Sequence, residues 1–468
     1  MTLRHANELP TRSRLHRAAV AGNIMAHKGE IIMRHAVAAA IALALATPAL
    51  AQAPEPEKVV VIHAGTLLAE PGKPPRGNST VIIRGDKIAE IRDGFVDPPA
   101  GAQLVDLRNA FVMPGLIDMH VHLWGIGGDP LKDRLTALNR DDADDMMYAV
   151  SNARTTLEAG FTTVRDLGGN ARGMRALREG VERGDIEGPS IVNAGAAISV
   201  TGGHADPANG LGEIYAEAVH QHTVSTCDGA DDCRRAVREQ VALGAQVIKY
   251  MSTGGVLSNV SGGLGRAMTD EEMKAIIDTA HGLGRKVATH SHAAAGTKAA
   301  IVAGVDTVEH GSFLDDEAIK LFKSHGTWLV PTMMAPLAAV AQARAGMLPP
   351  AVIPKAEEAA AAAFASHQKA IAAGVKVAFG TDTGVSKHGD NAQEFALLVK
   401  AGMTPAEALK TATVNAAEAL GQSATIGTLA AGKEADIIAL SGSPLHDVTR
   451  MEKVDLVMRH GVVHKAYN

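Results

Sequence analysis

Between residues 111 and 380 the chain repeats one unit: a short apolar run that reads as a buried strand, then a stretch with helical periodicity. The strand-like runs are 111–122, 162–166, 190–196, 246–250, 286–290, 307–310, 327–331 and 376–380. Helical stretches lie between them, among them 141–159, 270–283, 315–324 and 351–373. Several start on capping residues, as in Thr269-Asp270-Glu271-Glu272, and several stop near glycine. Strands separated by helices pair in parallel through right-handed crossovers. Eight such runs suit a closed (β/α)8 barrel better than an open sheet, and functional residues of such a barrel gather at the C-terminal ends of its strands.

The flanks have a different texture. Residues 58–68 and 79–91 are short β-rich runs broken by turn residues, and similar runs return at 435–440 and 456–463. The fold expected is therefore α/β: a TIM-like barrel at 113–421, plus a small β-sandwich domain made from both chain ends, 52–112 and 422–468. Aromatic residues are only 3% of the chain, so aliphatic side chains must fill its core. Charged residues make up 21% without a long single-sign run, and the formal charge is −6, which disfavours nucleic acid as a partner.

Residues 1–51 read as a segment removed before function. Met33-Arg34-His35 opens a short apolar run that ends at Ala49-Leu50-Ala51, the pattern of a secretory signal. Residues 1–32 read as an extension upstream of it, and a mitochondrial or other presequence is the competing reading. The apolar run is too short to stay in a membrane as a spanning helix. Cys227 and Cys233 could close a disulfide in an oxidising compartment or remain two thiols; both readings stay open.

Ligand-capable residues sit at the ends of several barrel strands: His120 and His122, Lys249, His290, His310 and Asp382. Residues two apart on a strand face the same side, so His120 and His122 can grip one cation together. An ammonium cannot coordinate a metal, so Lys249 is useful there only if it loses its proton or is modified. Tyr250 reaches the mouth only if its strand has ended; otherwise it is a packed tyrosine. His204 lies in a Gly-rich loop placed to close on a substrate, with a solvated loop histidine as the competing reading. Arg165, Asp166 and His388 are weaker candidates.

In chain order, Met-Pro-Gly-Leu-Ile-Asp-Met-His-Val-His, Val-Ile-Lys-Tyr, Val-Glu-His-Gly and Phe-Gly-Thr-Asp-Thr-Gly resemble the metal-dependent amidohydrolase superfamily. The tail Gly-Thr-Leu-Ala-Ala-Gly-Lys-Glu-Ala-Asp-Ile-Ile-Ala-Leu matches its C-terminal signature. Within it, the sequence is most similar to the imidazolonepropionase-like group that contains Xaa-Pro dipeptidases, carboxypeptidases and ochratoxin-type amidases. The resemblance implies two divalent metal ions, usually Zn2+. His120, His122 and Asp382 would hold one, His290 and His310 the other, and a carbamylated Lys249 would bridge them. Asp382 would also serve as general base and then acid. His292, two residues beyond His290, would touch substrate or support the ligands, and the two could exchange roles.

The activity implied is hydrolysis of dipeptides or N-acyl amino acids in the periplasm or outside the cell, by a homo-oligomer. Ochratoxin-like aryl amides would suit the same geometry. A mononuclear cyclic-amide hydrolase or deaminase is the alternative, and Lys249 speaks against it. A metal-binding protein without catalysis is a third reading.

Overall fold

A computed structural model describes residues 58–467 except 210, 223, 259–262 and 349; the signal and its upstream extension lie outside the described residues. In chain order the strands are β1 (Val59–Leu67), β2 (Ser79–Arg84), β3 (Lys87–Asp93), β4 (Gln103–Pro114), β5 (Leu116–Val121), β6 (Phe161–Asp166) and β7 (Ser190–Asn193). They continue as β8 (Val247–Met251), β9 (Lys286–Ala293), β10 (Thr307–Phe313), β11 (Trp328–Val330), β12 (Ile437–Leu440), β13 (Leu456–Arg459) and β14 (Val462–Lys465).

The middle strands form two parallel sheets, β5-β6-β7 and β8-β9-β10-β11, with a helix in most crossovers. Isolated parallel bridges join the sheets into a ring. Ile198 pairs with Tyr250 on one side; on the other, Leu329 pairs with Val377 and Thr383 with Val121. The eighth position, 376–380, is thus an extended segment rather than a regular strand. Its backbone groups are shared between different partners: Ala378 N–H donates to Leu329, Phe379 N–H to Thr411, and Asn415 Nδ2 to the Val377 carbonyl.

Both ends of the described chain enter one seven-stranded sheet, β14-β13-β12-β4-β1-β2-β3. Its apolar face collects Val60, Ile62, Ile83, Val112, Ile437 and Met458 into a core of its own. A bridge from Lys87 to Glu434 brings the β3 edge against the chain leading into β12, so the sheet curls over itself. Helix starts follow their capping residues. Asp141 and Thr269 form capping boxes for Asp142–Glu158 and Asp270–Gly282, and Asp315 caps Asp316–His325. Among the described residues no helix is long and apolar enough to cross a membrane.

The run 111–122, which reads as one strand in sequence, is split between the two sheets at Gly115. There the backbone turns from β4 to β5 directly against Thr162, and a Cβ at Gly115 would lie 2.2 Å from the Thr162 hydroxyl. Because that neighbour is a packed side chain on β6, Gly115→Ala should lower stability by ~1–3 kcal/mol through overpacking. Gly282→Ala, where a Cβ meets nothing within 4 Å, should be neutral or slightly stabilising. Urea unfolding of both variants checks the contrast, and equal midpoints would show that the β4–β5 turn tolerates a side chain.

Candidate metal centre

His120 and His122 lie two apart at the end of β5 and Asp382 just past the eighth segment; their ligand atoms all fall within 4.8 Å of one another. Asp382 Oδ1 is 3.4 Å from His120 Nε2 and 3.2 Å from His122 Nε2. Both imidazoles are oriented from behind. His120 Nδ1 is 3.0 Å from Glu309 Oε2, and His122 Nδ1 is 3.0 Å from the Gly168 carbonyl. Such bonds fix the ring and turn Nε2 inward, the usual support of a metal-binding histidine. Two inward nitrogens and a carboxylate at this spacing fit a divalent cation.

Asp118 holds the two halves of that group together. Its carboxylate accepts the His120 and Thr381 amides at 3.0 and 3.2 Å, the Thr381 hydroxyl at 2.7 Å and Asn391 Nδ2 at 2.9 Å. One buried aspartate therefore sets the separation of His120 from the segment carrying Asp382. Burial pushes its carboxyl up to about 6 despite those donors.

The cavity above this group, about 180 Å³, is lined by His120, His122, His204, Lys249, His290, His292, His310 and Asp382. The His290 and His310 rings lie 4.6 Å apart, and His310 is 5.1 Å from both His120 and His292. His310 Nδ1 bonds the Thr332 hydroxyl at 2.7 Å, and His292 Nδ1 the Ser312 hydroxyl at 2.8 Å. His290 Nε2 approaches the Gly254 carbonyl at 3.3 Å. Each ring thus commits one nitrogen and keeps the other. Burial, then neighbouring cationic groups, hold His290 and His310 well below the usual histidine range. They are neutral, as a metal ligand must be.

Strain marks the same place. His310, Thr332 and Asp382 have φ of 71°, 48° and 60°, a left-handed backbone that costs about 1–3 kcal/mol each in ordinary residues. His367 Nε2 donates to the His310 carbonyl at 2.5 Å and helps hold that turn. Glu394 accepts the amides of Met333 and Met334 at 2.9 Å each, so it caps helix Met334–Arg344, which has no side-chain cap of its own. Burial raises its carboxyl to about 8. Ala335, Pro336 and Ala339 of that helix form an apolar wall of the cavity.

Lys249 and Met251 both line the cavity, as period-two alternation on β8 requires. Tyr250 does not, which corrects its expected substrate contact. The strand runs on to Met251, so Tyr250 faces outward and is fully buried with Ile198, Met273 and Ile276 under the helices. Burial brings the Lys249 ammonium down to about 8, against the pull of Glu309 and Asp382.

His204 reaches the cavity from the loop after β7. Its ring centroid is 4.3 Å from that of His290, and its Nδ1 is 2.9 Å from the Ser258 hydroxyl. It lies flat against Gly255, where a Cβ would sit 2.2 Å from the ring; only glycine leaves that space. The loop is tied down nearby, since Cys227 N–H donates to Ser199 and Thr201 bonds Asp228. Cys227 is disulfide-bonded to Cys233 of helix Ala230–Ala242.

The weaker candidates Arg165, Asp166 and His388 act as supports, together with Glu309, which the sequence reading missed. Arg165 is buried and donates to Glu309 Oε1 at 2.8 Å, to the Thr307 hydroxyl at 3.1 Å and to the Met119 carbonyl at 2.6 Å. Glu309 thereby links Arg165 to His120. Asp166 receives the Leu123 amide at 2.7 Å, and His388 bridges the His122 carbonyl and the Thr156 hydroxyl at 3.1 Å each. A Glu inside the apolar run of Val-Glu-His-Gly was the available signal for Glu309.

The model of the amidohydrolase family matches residues 111–463, which span every one of these groups. The chain belongs to that family. It is 35% identical to ochratoxinase of Aspergillus niger over 410 residues, 84% of this chain and 83% of that protein. A crystal structure of a Xaa-Pro dipeptidase with methionine in its active site superposes with a TM-score of 0.82 at 35% identity, covering 87% of this chain and all of the other. A prolidase crystallised with N-methylphosphonate-L-proline gives a TM-score of 0.79 at 30% identity, with 87% and 100% coverage. The protein is a hydrolase acting on amide bonds.

Glu309→Gln keeps the shape of the side chain but removes the charge between Arg165 and His120. It should weaken divalent-metal retention about 10–100-fold, the usual effect of losing a partner behind a ligand. Metal content after dialysis against graded chelator reads this directly, and wild-type retention would show that His120 needs no such support.

Proposed function

We propose that this chain hydrolyses the amide bond of dipeptides or N-acyl amino acids and releases the C-terminal amino acid, using two divalent cations. The observation that carries this reading is the convergence of His120, His122, His290, His310, Asp382 and the buried Lys249 in one small cavity. His120, His122 and Asp382 would hold one cation, and His290 and His310 the other. A nitrogen-rich donor set favours zinc. When bound, such cations polarise an amide carbonyl and lower the pKa of the attacking water.

An ammonium of ordinary basicity is protonated and inert toward carbon dioxide. With its pKa near 8, Lys249 is partly the free amine at neutral pH. Its nitrogen would attack carbon dioxide, forming an N–C bond and releasing a proton, which converts a cation into a carboxylate-bearing ligand between the two sites. Asp382, held well below the usual carboxylate range by His120, His122 and Lys249 in spite of burial, stands ready to accept the water's proton. It would then pass that proton to the leaving nitrogen. His204 and His292 line the same cavity and are proposed to meet the substrate.

The substrate is proposed to be a small molecule, and the apolar wall at Pro331, Ala335 and Ala339 suits an apolar acyl or leaving group. The Cys227–Cys233 disulfide and the signal-like segment ending near Ala51 support an exported, periplasmic or secreted protein, and a homo-oligomer is proposed.

A screen of dipeptides and N-acyl amino acids on zinc-loaded protein should yield free amino acid from at least one member, with close to two metals per chain. Release from none of them would overturn the reading, and a single metal per chain would favour the mononuclear cyclic-amide hydrolase or deaminase. Lys249→Ala should lose most of that activity and recover part of it with acetate or propionate. Undiminished activity without the lysine would remove the carbamate from the scheme.

A further inference from the structure

The cavity wall offers no side-chain cation that the chemistry proposed above leaves free. Among the described residues that line it there is no arginine, and its one lysine, Lys249, is assigned to the cation site. A substrate ending in a free carboxylate would bring an anion beside apolar side chains such as Val256, Leu257 and Pro336. That charge needs a partner if it is to leave water.

Lys355 does not line the cavity but lies directly behind residues that do. It belongs to helix Ile353–Ala372, whose Ala356 shares a core with Val256 and Ala339, both of them on the cavity wall. Its Nζ donates to the Ser258 carbonyl at 2.6 Å, one residue beyond Leu257. The hydroxyl of the same Ser258 bonds His204 Nδ1 at 2.9 Å. Among the described residues Lys355 has no carboxylate partner, although most buried or half-buried cations of this chain have one. A carbonyl occupies one of its three donors and leaves its charge uncompensated. Half-buried without a counter-ion, its ammonium is lowered from the usual lysine value, and its charge reaches His204.

We propose that Lys355, held beside Ser258, which bonds the cavity-lining His204, recognises the free carboxylate of the substrate's C-terminal residue. The proposal rests on the amide-hydrolase reading above and narrows it to substrates with an unblocked carboxyl terminus. The ammonium would keep its bond to Ser258 and turn a second donor to the carboxylate, so Ser258 and the substrate's end are held by one side chain. Blocking the carboxylate as a primary amide removes the charge while leaving the scissile bond and the apolar contacts in place.

The test compares kcat/KM for one N-acyl amino acid and for its C-terminal primary amide, in wild type, Lys355→Met and Lys355→Arg. Wild type should prefer the free acid. Lys355→Met should lose roughly ten- to hundredfold on the acid, the scale of a charge-assisted hydrogen bond, and change little on the amide. Lys355→Arg should retain most of the preference. A wild type that does not prefer the acid would overturn the proposal, and so would a Lys355→Met that keeps the preference. An equal fall on both substrates would mean that Lys355 only braces the Ser258 loop, which also overturns it. Thermal unfolding of the variants separates that result from global loss of fold. If wild type cleaves neither these substrates nor any member of the screen, the amide-hydrolase reading fails first, and this one with it.

Discussion

The buried carboxylate of Glu309, held between Arg165 and His120, is the interaction on which the rest of the site depends. Its oxygens meet a guanidinium at 2.8 Å and an imidazole at 3.0 Å, in a place with no access to water. An isolated charge there would be prohibitive, and even a pair gains little net stability once desolvation is counted. What the arrangement secures is position. Arg165 comes from β6, Glu309 from β10 and His120 from β5, so the ring of His120 is oriented from across the barrel. The metal-facing nitrogen can be correct only when the ring of strands has closed.

Around that centre the polar and apolar parts are divided cleanly. Asp118 and its four donors fix the distance between the β5 histidines and the segment carrying Asp382. Glu394 fixes the helix that supplies the apolar wall, by capping it from another helix. The His204 side is held differently, through a glycine contact, a hydroxyl and a disulfide-braced segment. A floor of buried, strained residues thus carries the ligand groups, and the covering loops take their order from fewer and more exposed bonds.

Much of this was legible in the sequence because strand alternation is a strong local rule. His120 and His122 share a face, Lys249 faces the cavity, and seven of the expected barrel runs became regular strands. The same rule decides against Tyr250, but only once β8 is known to continue through Met251. His310 shows the rule's limit. Thr307 and Glu309 face Arg165 inside the barrel, and the next residue should face out; its left-handed backbone turns it back to the cavity. Sequence patterns carry no mark of such a turn. The roles of Asp118, Glu309 and Glu394 were hidden for another reason: each acts across a gap of many residues, on a neighbour that only closure of the ring supplies. The division of 111–122 at Gly115 was equally invisible, since both halves are apolar and extended.

The pairing of β12 with β4 bears on the order in which the molecule can be built. As the chain emerges from the ribosome, β1 to β4 can associate at once, yet β4 keeps an open edge until Ile437–Leu440 has been made. The whole barrel is synthesised during that interval. Strand β12 is therefore a clasp that can be fastened only after the whole barrel segment has been made, and a chain that lacks it presents an unsatisfied β-edge at β4.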